Sequence, residues 1–164
     1  SAATLALSQQ VTIAADVPVL THGGTSPTLT TLADNDTVYR LAPSDALQGR
    51  VLAEQMYAEG IRTLAILYVN DAYGVGLRDA ASARFLELGG TLSTAVSVAP
   101  EQSQLSAEQL NSLFAHEPPD ALAIFTLIPL AGNAIRDIFL QRMNLFQLRT
   151  NSSSLHVHRI SRHP

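Results

Sequence analysis

"TLAILYVNDAYGVG", Thr63 to Gly76, joins two patterns in fourteen residues. Thr63 to Val69 is an unbroken apolar run of strand length, as expected for a strand buried on both faces. Asn70-Asp71 then supply helix-capping chemistry. Beyond them Leu77, Ala80, Ala81, Phe85 and Leu86 recur at helical spacing. A buried strand running straight into an amphipathic helix is the first half of a βαβ unit and predicts a parallel sheet.

The flanks repeat the alternation. Ala42-Pro43-Ser44 starts a helix whose apolar positions are Leu47, Val51, Leu52, Met56 and Tyr57, and Gly60 stops it. After Gly89-Gly90, Thr91 to Ala99 reads as a strand. Ser106 with Gln109 opens a short helix, Ala121 to Leu127 is a third apolar strand, and Pro129 to about Phe139 is a further helix. The fold class is therefore α/β, a parallel sheet with helices on both faces. Upstream, Thr4 to Ala15 reads as a helix and Val17 to Thr21 as a short strand. Ser26-Pro27 cap a short helix, Asp34-Asn35-Asp36 turn, and Val38 to Leu41 is extended. A layer that thin cannot bury its own apolar face, so Leu5, Val11, Val17 and Val19 predict self-association.

Three regions follow: 1–41, 42–140 and a tail, 141–164. The tail lacks a sustained helical or strand period and is expected to be flexible. Charge marks the same division. Six of the ten arginines and all fourteen acids lie up to Asp137, whereas four arginines and no acid follow it. The tail reads as a frameshifted or vector-encoded extension. The net charge of −4 gives no reason to expect nucleic acid as a partner. Without cysteine there is no disulfide, thiolate zinc site or Cys nucleophile.

Each chemical motif has a plain alternative. Gly74-Val75-Gly76 stands where a dinucleotide fingerprint would, but Asp79 replaces the third glycine and no acid closes the next strand to hold a ribose. Tight-turn packing is the other reading. Asp71 is most simply a cap. Tyr73, at the C-terminal mouth of a parallel strand, is equally a ligand cover or a core residue. In His22-Gly23-Gly24-Thr25-Ser26, free backbone N–H groups and two hydroxyls could hold a carboxylate, or form an ordinary capped turn. His156, His158 and His163 have no nearby carboxylate to complete a metal site. Asp34-x-Asp36 lacks the rest of a calcium loop, and no G-x-S-x-G elbow occurs. No cofactor is implied.

In order, "SAATLA" (1–6), "VPVLTHGGTSPTLT" (17–30), "VYRLAPSDALQG" (38–49), "LAILYVNDAYGVGLRDA" (64–80), "LGGTLSTAVSVAPEQS" (88–103) and "PPDALAIFTL" (118–127) make the chain similar to type I periplasmic solute-binding proteins. The branched-chain amino-acid and amide group of ABC transporters is the nearest. The resemblance implies two α/β lobes holding a ligand between them, a periplasmic location, an ABC permease as partner and no catalysis. It makes 1–41 the end of the first lobe and first crossover, and 42–140 an incomplete second lobe, so the fragment is expected to bind weakly or not at all. Ser1, Gly23, Thr25 and Tyr73 match ligand-binding positions. Leu127 stands where some members carry an aromatic residue. The family's ammonium-pairing acid would fall in the tail, which has none. The same fold also serves ligand-sensing receptors. A nucleotide-using α/β enzyme is the alternative from another class.

Overall fold

The computed structural model describes residues 1–115 and 118–152, with side chains through Leu140. Two parallel sheets form the frame. In the smaller sheet, β1 (Val19–Thr21) pairs with β2 (Val38–Arg40), Val19 opposite Val38. In the larger, β3 (Thr63–Val69) is central between β4 (Thr91–Val98) and β5 (Ala121–Phe125). The helices are α1 (Ala2–Leu7), α2 (Asp45–Ala58), α3 (Ala72–Glu87), α4 (Ala107–Ser112) and α5 (Ile128–Ser152).

β3 is central because both its faces are apolar. Leu64, Ile66 and Tyr68 pack with Ala53, Leu77, Ala81, Phe85 and Phe125 on one side. Leu67 and Val69 pack on the other with Val96, Val98, Leu113, Leu130 and Ala134. At full burial each such side chain contributes roughly 1.5–3 kcal/mol. The expected α/β class with helices on both faces is what forms.

Local signals set the boundaries. Asp71 Oδ1 accepts the N–H groups of Tyr73 and Gly74, each at 2.9 Å, so α3 begins at once after β3. Ser44 caps α2, and Ser106 with Gln109 closes a capping box on α4. Gly60 and Gly89 end α2 and α3 at φ 91° and 92°, a region glycine enters without steric cost.

Several apolar positions fall elsewhere than expected. Leu47, Val51 and Leu86 are exposed, and α2 buries Gly49 and Ala53 instead. A Cβ on Gly49 would lie 2.7 Å from Ala80 Cβ and from the Ala81 backbone N. Backbone closeness between α2 and α3 helps make that interface, and Leu52, Met56 and Tyr57 complete it, with Tyr57 edge-on to Phe85 at 6.2 Å between ring centroids. The expected helix over Thr4 to Ala15 is α1 followed by a π-helical turn, Ser8–Thr12. Leu5 is buried, so it leaves the set of exposed apolar residues. Ser26 caps a 3-10 turn, Pro27–Thr30, accepting from Thr28 N at 3.3 Å. α5 continues to Ser152 through a stretch where no helical period was expected, because nothing from Asn133 to Ser152 is glycine or proline. Residues 153–164, with His156, His158 and His163, lie outside the described residues. Among the described residues no helix is long and apolar enough to cross a membrane, and no metal-ligating cluster occurs.

Candidate functional site

The C-terminal ends of β1, β3 and β5 open toward one space, the usual position for a ligand beside a parallel sheet. It is a cleft of about 550 Å³ between the two sheets, lined among others by Ser1, Gly23, Thr25, Gln48, Asp71, Tyr73, Thr126 and Leu127. All five positions singled out from sequence, Ser1, Gly23, Thr25, Tyr73 and Leu127, lie on it. They come from the head of α1, the loop after β1, the head of α3 and the end of β5. A larger but more polar hollow beside β4 and α4 contains none of them.

The loop after β1 is wired from within. Gly24 N donates to Thr21 Oγ1 at 3.0 Å, and Thr25 N and Ser26 N both donate to Ser1 Oγ, at 3.1 and 3.0 Å. The expectation of free N–H groups here is corrected, since the Ser1 hydroxyl and the Thr21 hydroxyl already satisfy three of them. Ser26 Oγ is likewise occupied by its cap on Thr28. Besides the Ser1 O–H proton and the Thr25 hydroxyl, which also faces Asp45, the cleft carries the polar side chains of Gln48, Asp71 and Thr126. The tight glycine is Gly24, where a Cβ would meet Thr21 and Leu29 at 2.8 Å; at Gly23 nothing lies within 4 Å.

Tyr73 sits on the first turn of α3, half-buried and packed against both cores. Burial raises its phenol above the usual range, and Asp45 and Asp71 add to this, so it stays protonated and able to donate. The two open readings of Tyr73 are compatible in this geometry: the ring packs on the core while the residue lines the cleft.

Two carboxylates near the cleft lie outside the five positions singled out from sequence. Asp71 lines the cleft and spends Oδ1 on the cap. Asp45 has no exposed surface, neither of its carboxylate oxygens makes a well-formed hydrogen bond, and its N–H donates to Thr25 O at 2.8 Å. Burial raises its pKa above the usual carboxylate value, opposed by Thr25, the chain's amino terminus and Arg40, and reinforced by Asp71. Asp45 reads in the sequence as an ordinary first-turn acid behind the Ser44 cap; only its burial sets it apart. Of the two, Asp71 lines the cleft, while Asp45 lies fully buried behind it.

A family described as "receptor family ligand binding region" matches residues 1–145. The chain belongs to that family. A leucine binding protein of Thermotoga maritima is similar at 27% identity and TM-score 0.65, over 74% of this chain and 33% of that one. An extracellular ligand-binding receptor of Rhodopseudomonas palustris HaA2 superposes with TM-score 0.77 at 20% identity, over 86% and 38% of the two chains. A branched-chain amino acid ABC transporter protein of Thermus thermophilus with bound valine gives TM-score 0.70 at 17% identity, over 87% and 36%. No curated protein is matched. The family member thus has the type I periplasmic binding fold and spans about a third of the length of these structures.

Proposed function

We propose that this chain supplies most of the second lobe, and one edge of the first, of a substrate-binding protein that delivers an amino acid or amide to an ABC importer. The carrying observation is the meeting of Ser1, Gly23, Thr25, Tyr73 and Leu127 on one cleft between two parallel sheets. The likeness to a leucine binding protein at 27% identity supports the ligand class.

The division of labour follows from the donors. Ser1 and Thr25 present hydroxyls to the ligand carboxylate, and a hydrogen bond to a charged group contributes about 1.5–3 kcal/mol. Tyr73 closes over the ligand from α3, and Leu127 meets its aliphatic part. Asp71, on the cleft wall, supplies negative charge for an ammonium, which cannot be buried unpaired without large cost. Binding proceeds by lobe closure about residues 40–44, with no covalent step. The protein is placed in the periplasm, with the permease as its partner.

Calorimetry tests this with leucine, valine, alanine, an aliphatic amide, benzoate and NAD. Weak heats with amino acids or the amide, as fits an incomplete cleft, are expected, further weakened about tenfold or more in Tyr73→Ala; tenfold corresponds to about 1.4 kcal/mol. A response to NAD alone would replace the proposal with the nucleotide-enzyme alternative. The family's description as a receptor region favours one second reading, a sensor of the same ligands. Neighbouring permease and ATPase genes would favour transport, and a kinase gene would favour sensing.

A further inference from the structure

The two glycines of Gly74-Val75-Gly76 have different neighbours. A Cβ on Gly74 would lie 2.0 Å from Val69 O, so this glycine is required where α3 leaves its own sheet. A Cβ on Gly76 would instead lie 2.6 Å from Pro27 Cδ, 3.4 Å from Pro27 Cγ and 3.6 Å from Ser26 Oγ. Those atoms belong to the 3-10 turn beside the small sheet. Gly76 is thus where α3 touches the other side of the cleft.

We propose that Gly76 and Pro27 form the contact that sets the spacing of the two sides of the cleft, and that the missing side chain at 76 permits this close spacing. This rests on the reading that the two sheets belong to two lobes moving about residues 40–44. The turn cannot yield easily. The proline ring is rigid, Ser26 is fully buried, Ser26 N donates to Ser1 Oγ at 3.0 Å, and Arg40 Nη1 donates to Ser26 O at 3.0 Å. A methyl group at 76 therefore separates the two sides by roughly 1 Å to reach ordinary contact distance. Tyr73 lies three residues before Gly76, on the same face of α3. The contact thereby sets the distance from Tyr73 to Ser1 and Thr25, making Gly76 a positioning residue for the cleft without ligand contact of its own.

The chain has no cysteine, so two introduced thiols report selectively. Thr31→Cys and Ala83→Cys place spin labels on exposed positions, one on each side of the cleft. Double electron–electron resonance is measured without ligand in the parent pair, Gly76→Ala, Gly76→Leu, and Gly76→Ala with Pro27→Ala. The mean distance is expected to lengthen by roughly 1 Å with Ala and further with Leu, and to return toward the parent value when Pro27 is removed. Alanine and leucine favour helix over glycine, so α3 is retained, as circular dichroism verifies. An unchanged distance in Gly76→Ala and Gly76→Leu, or no return with Pro27→Ala, overturns the proposal. Loss of helix in Gly76→Ala also overturns it, because Gly76 would then serve the fold and not the spacing. The readout needs no ligand, so a failed calorimetric panel would count against the function and leave this test intact.

Discussion

Asp45 and Asp120 are both carboxylates of the large-sheet unit, and their environments act in opposite directions. Burial raises the Asp45 pKa, so the folded chain holds its proton to a higher pH than the unfolded chain. Its contribution to stability is complete below 3.8, the ordinary carboxyl value of the unfolded chain, and is lost as pH rises through the raised folded value. Asp120 accepts the N–H groups of Arg62 and Thr63 at 2.9 Å, which lowers its pKa. Its contribution is present above 3.8 and is lost as pH falls through the lowered value. Asp45→Asn is accordingly expected to raise the urea midpoint at pH 7 and to flatten the decline in stability above pH 3.8. Asp120→Asn should lower the midpoint at pH 7 and have little effect at strongly acidic pH. A lowered midpoint for Asp45→Asn at pH 7 would mean that its charge is compensated in the fold.

Two helical glycines give opposite predictions for one substitution. Gly49→Ala pushes a Cβ to 2.7 Å from α3 backbone, where nothing can rotate away. Overpacking costs about 1–3 kcal/mol, and the gain in helix propensity offsets at most about 1 kcal/mol. Gly132, in α5, has nothing within 4 Å of its virtual Cβ, so Gly132→Ala should stabilise by roughly 0.5–1 kcal/mol. Thermal unfolding of the two variants checks the pair, and stabilisation of both would contradict the close α2–α3 packing. The elements themselves were legible because their signals are local. The run from Thr63 to Val69, the Asp71 cap and the Ser106–Gln109 box each lie within a few residues. The buried face of α2 was legible in part: Leu52, Met56 and Tyr57 pack against the core as read, but Gly49 and Ala53 carry little hydrophobic signal beside Leu47 and Val51, which are exposed. The five cleft positions were accessible through motif order. Asp45 was not, because its burial arises from the approach of the loop around Thr25, distant in sequence.

The small sheet leaves Val11, Val17, Leu20, Tyr39 and Leu41 about half exposed or more. A two-stranded layer has no second apolar layer of its own to cover these groups. The chain is therefore expected to associate through this surface, with a light-scattering mass that rises with concentration and falls back in Leu20→Ser with Leu41→Ser. A constant monomer mass at high concentration would contradict this. Ligand capture is proposed at the cleft, where the two sheets face each other. Nuclear magnetic resonance of the 15N-labelled chain, titrated with leucine to millimolar concentration, tests it most directly. Weak, saturable shifts are expected at the amides of Gly23, Thr25, Tyr73 and Leu127, and they vanish in Tyr73→Ala. Shifts confined to other residues, or unchanged by Tyr73→Ala, would contradict it.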